Sequence, residues 1–269
     1  MSYKLLALDL DGTTLNPSLD INPAVSSAIA AAQARGVRVT LATGRMFGST
    51  VPYARQLNIH DPLICYQGAL IRDPISDEIY QHVVTPGDQA AEAIEMLRER
   101  DIFTIAYIDE RLCAAERRAE LDEYLQWHPE GIEVVIDPQL AALARERPPT
   151  KLLFVSDPPV IEREVARLGQ HFAGRLSAVR SHALFGELTA LGISKGTALA
   201  ALAARLGIAR EQVIAIGDHE NDIPMIEWAG LGLAMGNAIP TAQAVADAVI
   251  PSVDQAGVAW AIGRYILDS

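Results

Sequence analysis

Short, wholly apolar runs alternate with helical patterns along the first 82 residues of the chain. Runs of this kind, separated by helices, are typical of a parallel sheet whose two faces are both covered. The same alternation returns after about residue 187. The pattern therefore predicts an α/β fold in two halves. Its predicted strands are 5–8, 37–42, 63–66, 213–216 and 231–234, and its predicted helices are 23–35, 47–57, 195–206, 222–228 and 255–267.

The middle of the chain has a different pattern, in which strands cluster and proline pairs interrupt them at Pro148-Pro149 and Pro158-Pro159. This favours an α+β insertion over continued winding of one sheet. We therefore predict a discontinuous core at 1–82 and 187–269 and an inserted domain at 83–186. The insertion has predicted strands at 103–108, 112–115, 132–136, 151–155 and 175–179 and predicted helices at 87–100, 117–127 and 161–171.

Composition narrows the class of protein. Half of the 269 residues are hydrophobic, and 22 Lys and Arg face 34 Asp and Glu, which gives a formal net charge of -12. This charge disfavours binding to nucleic acid or to an anionic membrane surface. No apolar run approaches the roughly 18–20 residues of a membrane helix, and no signal peptide is evident, so a soluble cytoplasmic protein is expected. Cys65 and Cys113 are expected to be buried free thiols.

The first chemical motif, Asp9-Leu10-Asp11-Gly12-Thr13-Thr14, directly follows the first predicted strand. Alternation along an extended chain sends Asp9 and Asp11 to one side, at the sheet edge where α/β proteins bind ligands. Two crowded carboxylates favour a hard divalent ion. An EF-hand is excluded because its twelfth position holds Asp20 instead of Glu. An ordinary acidic turn stays open as the alternative.

Three further motifs follow. Thr43-Gly44-Arg45 ends another strand and precedes a helix, so its hydroxyl and amides suit a phosphate, although a plain cap and turn explain it equally well. Lys195, in Gly192-Ile193-Ser194-Lys195-Gly196-Thr197, lies at the positive end of a helix and calls for an anionic partner, unless it is simply solvated. Asp218 and Asp222, in Gly217-Asp218-His219-Glu220-Asn221-Asp222, either join the same sheet edge or form an acidic first helical turn.

Taken in order, these four motifs resemble the motif set of the haloacid dehalogenase-like (HAD) phosphohydrolases, and the chain is similar to their Cof-type branch, subclass IIB, along nearly its whole length. The resemblance implies a Rossmann-like core with an inserted α+β cap of the C2 type that closes over the core and excludes water. After the third strand this chain has Gln67-Gly68-Ala69, where the family often has Asn-Gly-Ala.

The resemblance also implies a role for each motif. Asp9 would be the nucleophile of an aspartyl-phosphate mechanism, and Asp11 the general acid and base. Mg²⁺ would be the cofactor, held by Asp9, the backbone around Asp11, and Asp218. The phosphate group would be bound by Thr43, Gly44, Lys195 and Asn221. Asp222 would lie behind the metal ligands or orient Lys195.

The function that this set implies is Mg²⁺-dependent hydrolysis of small phosphomonoesters such as sugar phosphates, with a small phosphorylated metabolite as the partner. Two alternatives stay open. A phosphotransferase or mutase would use the same Asp9 intermediate and pass the phosphoryl group to a sugar. A sensor of phosphorylated metabolites would keep the fold and lose catalysis. The sequence predicts neither the particular metabolite nor the oligomeric state.

Overall fold

The computed structural model describes residues 2–126 and 132–268. Its strands are β1 (Leu5–Leu8), β2 (Arg38–Leu41), β3 (Leu63–Cys65), β4 (Leu70–Arg72), β5 (Ile79–His82), β6 (Phe103–Ile108), β7 (Arg111–Ala114), β8 (Val134–Ile136), β9 (Lys151–Val155), β10 (Leu176–His182), β11 (Phe185–Ala190), β12 (Val213–Gly217), β13 (Leu231–Ala234) and β14 (Ala248–Val249). Its α-helices are α1 (Pro23–Ala34), α2 (Phe47–Gln56), α3 (Gly87–Arg98), α4 (Ala119–Leu125), α5 (Leu140–Glu146), α6 (Pro158–His171), α7 (Lys195–Arg205), α8 (Ile223–Trp228), α9 (Pro240–Val245) and α10 (Gly257–Ile262). Short 3₁₀ turns include Tyr66–Gly68 and Glu220–Asp222, and a π-helical turn spans Gly263–Leu267.

The chain divides into two compact units. The core unit consists of Met1–Arg45, Thr50–Gln81 and Ser194–Ser269, and the insertion unit consists of Met46–Ser49 and His82–Ile193. The insertion unit thus ends later than the predicted boundary at residue 186, because β11 pairs with β9 and β10 inside that unit. The functions assigned to the two predicted domains stay predictions.

The core unit contains a five-stranded sheet in the order β14-β13-β12-β1-β2, with every pairing parallel. The predicted α/β class with a parallel-sheet core is therefore confirmed. The central strand β1 is wholly buried, which explains its continuous apolar sequence. Leu8 lies opposite Ile216 on one side and Leu41 on the other. The chemical motifs that follow these strands consequently emerge at one edge of the sheet.

The insertion unit contains a six-stranded sheet in the order β10-β11-β9-β6-β7-β8, which is antiparallel except between β7 and β8. Helices α3, α5 and α6 pack on one face, where every second strand residue, such as Ala106, Leu152 and Phe154, joins their hydrophobic cluster. Alternation along the strands sends Tyr107 and Lys151 to the opposite face. The helices therefore cover one face of this sheet.

Several local predictions differ from the structure. Helix α5 was not predicted because it is only seven residues long, and its preceding residue Gln139 gives no side-chain cap. The last predicted helix begins later, at Gly257, and ends in the π-helical turn. Trp127, the predicted end of the fourth helix, lies outside the described residues. Cys65 and Cys113 are buried free thiols as expected. Within residues 2–126 and 132–268, no helix combines the length and the apolar character that crossing a membrane requires.

A buried ion pair joins two strands of the insertion unit. Lys151 Nζ lies 3.0 Å from Glu187 Oε1, and the side chains are only 2% and 4% exposed. Ser181 Oγ donates to the same carboxylate oxygen at 2.7 Å, and Lys151 Nζ lies 4.8 Å from the centre of the Tyr107 ring. Removing one partner of such a pair leaves the other charge buried and uncompensated.

We expect Lys151→Met to lower the free energy of unfolding by about 3–5 kcal/mol, measured by urea unfolding at neutral pH. The double variant Lys151→Met/Glu187→Leu removes both charges and is expected to regain most of that loss. Lys4→Met, at an exposed position, is the matched control and should leave stability unchanged. Equal losses in the single and double variants would show that the two charges are not coupled.

Candidate active site

Asp9 lies immediately after β1, at the carboxyl end of the central strand. Its backbone N–H donates to the carbonyl of Ile216 at 2.9 Å, and its carbonyl accepts from Thr14 Oγ1 at 2.6 Å. The side chain is 6% exposed. Burial raises the pKa of the Asp9 carboxyl well above its ordinary value, and the nearby Asp222 carboxylate raises it further. The hydrogen bonds therefore fix the position of Asp9, and its surroundings disfavour the charged form of its carboxyl group.

Lys195 supplies the positive charge beside Asp9. Its Nζ donates to Asp9 Oδ1 at 2.5 Å and to Asp222 Oδ1 at 2.6 Å, and its side chain is 1% exposed. The residue begins α7, whose first turn is capped by the Ser194 hydroxyl accepting from Thr197 N–H. Burial alone would lower the pKa of Lys195, but the Asp222 and Asp9 carboxylates raise it above its ordinary value. A charged lysine at the positive end of a helix thus has its anionic partners.

Asp222 accepts hydrogen bonds both from Lys195 and from the backbone of the turn that precedes Asp222 itself. While Oδ1 accepts from Lys195, Oδ2 accepts from the backbone N–H groups of Asp218 at 2.9 Å and His219 at 3.0 Å. A Cβ on Gly217 would collide with the Asp222 side chain, so glycine is needed there. Both oxygens of Asp222 are therefore engaged by the protein itself.

Asp9, Asp218 and Asp222 form a group in which one carboxylate oxygen of each residue lies within 4.8 Å of the others. Burial and the neighbouring Asp222 carboxylate raise the pKa of Asp218 to about 7. Lys195 carries one positive charge against the three carboxyl groups of this cluster, so the cluster has a net negative charge when all three are ionised. Clustered carboxylate oxygens are the ligands that a hard divalent cation such as Mg²⁺ prefers. The donor set consequently fits a divalent metal ion.

Gly12 and Thr13 support Asp218 from the loop after β1. Thr13 Oγ1 donates to Asp218 Oδ1 at 3.2 Å. Gly12 has a positive φ of 79°, and a Cβ at this position would lie 2.5 Å from Asp218 Oδ2. Only glycine satisfies both conditions, because other residues are strained at this φ and their Cβ would occupy the carboxylate's space.

Asp11 is engaged differently from Asp9. Arg45 Nε and Nη2 donate to its two carboxylate oxygens at 2.8 and 2.5 Å, a bidentate ion pair. The Arg45 side chain is buried and its guanidinium lies 5.4 Å from the centre of the Tyr53 ring. The sequence placed Arg45 in a motif without giving it a role. Its contact with Asp11 brings the first two motifs together.

The predicted phosphate-binding residues come from two other loops of the core unit. Thr43 follows β2, with its N–H bonded to the carbonyl of Ile64 and its Oγ1 accepting from Arg45 N–H at 3.1 Å. Gly44 comes next in the chain. Asn221, in the turn before α8, donates from Nδ2 to Gln67 Oε1 at 2.9 Å. Sequence reasoning did not select Gln67, although its departure from the usual asparagine was a signal.

Comparison with known proteins identifies the family. The family model for haloacid dehalogenase-like hydrolases matches residues 6–262. The chain belongs to this family. A crystal structure of a haloacid dehalogenase-like hydrolase from Bacteroides thetaiotaomicron is similar over 98% of this chain and 99% of that chain, with 30% identity and a TM-score of 0.86.

One named relative narrows the class of HAD hydrolase, and a second solved structure shares the fold. The pyridoxal phosphate phosphatase YbhA of Escherichia coli (strain K12) is 28% identical over 93% of this chain and 94% of its own length. The HAD subclass IIB sugar phosphatase BT4131 has a TM-score of 0.85 over 97% of this chain and 98% of that chain, and its 21% identity shows the shared fold alone. The family match and the relatives named as phosphatases confirm the predicted family and the predicted enzyme class, a phosphoric monoester hydrolase.

Proposed function

We propose that this HAD phosphatase hydrolyses small phosphomonoesters, such as sugar phosphates and related metabolites, with Mg²⁺ as cofactor and Asp9 as nucleophile. The observation that carries the proposal is the contact of Asp9 Oδ1 with Lys195 Nζ. Asp9 lies at the carboxyl end of the parallel sheet, and one of its carboxylate oxygens lies within 4.8 Å of an Asp218 oxygen. A carboxylate held at a cationic group, beside a second carboxylate that can bind a metal ion, is suited to attack an anionic phosphoryl group.

In the first step, a carboxylate oxygen of Asp9 forms a bond to phosphorus while the bond from phosphorus to the ester oxygen breaks. Asp11 gives a proton to the departing alkoxide, which leaves as the alcohol. In the second step, Asp11 takes a proton from water, whose oxygen attacks the phosphorus and releases Asp9 and inorganic phosphate. One residue thus acts as acid and then as base. The ion pair with Arg45 must open before Asp11 can reach the ester oxygen.

The cofactor would be held by Asp9, by Asp218 and by the backbone next to Asp11. When bound, Mg²⁺ supplies positive charge that offsets repulsion between the nucleophile and the phosphoryl oxygens. Asp222 instead keeps Lys195 in place and orders the backbone before Asn221. Thr43, Gly44, Lys195 and Asn221 bind the phosphoryl group in this proposal. The protein is expected to work in the cytoplasm, where such metabolites occur.

The direct test is phosphate release from a panel of sugar phosphates, nucleotides, pyridoxal phosphate and an aryl phosphate. Pyridoxal phosphate is included because the Escherichia coli relative is named as its phosphatase. Each reaction is run with Mg²⁺, with EDTA, and with and without an acceptor sugar. Release that requires Mg²⁺ and no acceptor supports the hydrolase. Turnover that requires the acceptor would instead identify a phosphotransferase.

The raised pKa of Asp218 predicts that Mg²⁺ binding depends on pH. Because the carboxyl group holds its proton up to a pH of about 7, Mg²⁺ must displace that proton below this value. We expect the apparent Mg²⁺ affinity to fall about tenfold for each pH unit below 7 and to level off above it. Mg²⁺ titrations followed by thermal unfolding between pH 5.5 and 8.5 measure this change.

The sign of the stability effect follows from the same shift. The folded, metal-free state binds the Asp218 proton more tightly than the unfolded chain, so this group lowers stability as pH rises from about 4 to 7. Mg²⁺ should therefore raise the melting temperature more at pH 8 than at pH 6. Asp218→Asn should reduce this difference, while Asp254→Asn, at an exposed position, should keep it in full. An Mg²⁺ affinity that does not change with pH would contradict the role of Asp218 as an Mg²⁺ ligand with a raised pKa.

A further inference from the structure

Gln67 lies in a strained turn between two of the proposed phosphate-binding loops. It has φ 60° and ψ 20°, and Tyr66 and Gly68 on either side also have positive φ values of 52° and 101°. Left-handed conformations of residues other than glycine persist only where the surrounding structure enforces them. Such conformations cluster at active sites and at turns that hold ligands.

Hydrogen bonds and close packing enforce this turn from both sides. Gln67 N–H donates to the carbonyl of Thr43 at 3.1 Å, and Tyr66 N–H donates to the carbonyl of Arg45 at 3.0 Å. On the other side, a Cβ on Gly68 would collide with the carbonyl of Ser194, the residue before Lys195. The turn is thus held between the Thr43–Gly44 loop and the start of α7.

Gln67 is 4% exposed, yet only part of the hydrogen-bonding capacity of its side chain is used. Oε1 accepts from Asn221 Nδ2 at 2.9 Å, whereas the buried Nε2 has no hydrogen-bond partner within the described part of the chain. A Cβ on Gly44 would lie 2.5 Å from this nitrogen. The unpaired amide therefore lies directly against the glycine of a proposed phosphate loop.

We infer that Gln67 is a further phosphate-binding residue: its Nε2 amide donates to a phosphoryl oxygen at Gly44, and its Oε1 keeps Asn221 in position. This inference rests on the proposed function. A buried N–H group without an acceptor is costly, and a phosphoryl oxygen is a strong acceptor. Nε2 packs where a side chain on Gly44 would begin, so the amide lies against the backbone of the proposed phosphate loop. The turn also contacts Thr43 by a backbone hydrogen bond and Ser194 through Gly68, and both belong to segments already expected to contact phosphate.

Two substitutions separate binding from folding. Gln67→Glu keeps the shape and an oxygen for Asn221, but it replaces the amide donor by a negative oxygen that repels phosphate. Gln67→Asn suits the left-handed turn better than glutamine, but its amide is one methylene shorter. Gln33→Glu is the matched control, because Gln33 lies on α1 and its side-chain amide donates to the carbonyl of Asn58, outside the proposed site.

The primary measurement is the dissociation constant of inorganic phosphate, obtained by calorimetry with the Mg²⁺-saturated full chain. We expect a rise of about 10–100-fold for Gln67→Asn, the effect of one hydrogen bond to a charged group, and a larger rise for Gln67→Glu. KM for the best ester should rise in parallel, kcat should change less, and the melting temperature should stay within about 2 °C of the wild-type value.

Phosphate binding also separates this inference from the proposed function. If the wild-type protein binds phosphate and hydrolyses no ester, the proposed function fails, and the effect of the two variants on phosphate binding still tests Gln67. An unchanged phosphate dissociation constant in both variants would overturn the inference. It would also be overturned if weaker binding occurred only together with a lower melting temperature, since Gln67 would then act on the fold alone.

Discussion

Replacing Asp9 by asparagine is expected to reduce phosphate release by about 10⁴-fold or more, since the amide cannot form the covalent bond to phosphorus. The fold should survive, because Asn retains an oxygen that can accept from Lys195 in place of Asp9 Oδ1. Burial and Asp222 disfavour the charged form of Asp9, so removing this charge relieves repulsion in the metal-free protein. Phosphate release and melting temperature, measured on the same preparation, check both expectations.

The control for this prediction is Asp20→Asn, which removes a carboxylate from an exposed position in the same loop region. It should keep wild-type turnover. With wild-type protein, a labelled phosphoryl group trapped by rapid acid quench should be found on Asp9 and be absent from Asp9→Asn. Turnover by Asp9→Asn within tenfold of the wild-type rate would rule out Asp9 as the nucleophile.

The sequence predicted the main elements of this site because strand ends are a strong positional signal. Residues that directly follow β1 and β12 must emerge at the same edge of a parallel sheet, so the proximity of Asp9 and Asp218 follows from their position in the sequence. Lys195 was recognisable for another reason, because a lysine is unfavourable at a helix start unless anions lie nearby. Backbone geometry and helix electrostatics are both local consequences of sequence.

Side-chain pairing across loops could not be predicted in the same way. The sequence does not indicate that Arg45 turns toward Asp11, or that Asn221 and Gln67, 154 residues apart, share a hydrogen bond. Such contacts depend on rotamers and on how loops are packed. The left-handed conformation of Gln67 was also hidden, because glutamine is not a residue that signals positive φ.

In the fold, too, strands with a clear local sequence pattern were predicted, whereas a strand that depends on contacts with its neighbours was not. Strands β6 and β9 were predicted with the bounds they have, since each contains an uninterrupted run of four apolar residues, 105–108 and 152–155. Strand β11 was missed because Gly186 and Glu187 interrupt its apolar pattern. The structure explains both: a Cβ on Gly186 would collide with the Phe154 ring, and Glu187 is paired with Lys151. Where a contact with a neighbouring strand determines which residue fits, the local sequence pattern does not predict the strand.

Lys195→Met is expected to have the largest effect on stability of any substitution in the site. It removes the charge that lies 2.5 Å from Asp9 and 2.6 Å from Asp222 and leaves buried carboxylates facing one another. We expect the free energy of unfolding at pH 8 without Mg²⁺ to fall by about 3–5 kcal/mol. Turnover should fall by about 10²–10³-fold, the usual effect of losing one group that stabilises developing charge.

Two conditions should restore much of the lost stability, and they distinguish charge repulsion from a packing defect. Because the pKa of Asp9 is already raised by burial, lowering the pH lets this carboxyl take up a proton and replaces the missing positive charge. Mg²⁺ at high pH should act in the same direction by binding the carboxylates. Met and Lys have similar lengths, so a packing defect would respond to neither condition. A loss of stability equal at pH 5.5 and pH 8, with and without Mg²⁺, would therefore show that the lysine's main role is to fill space.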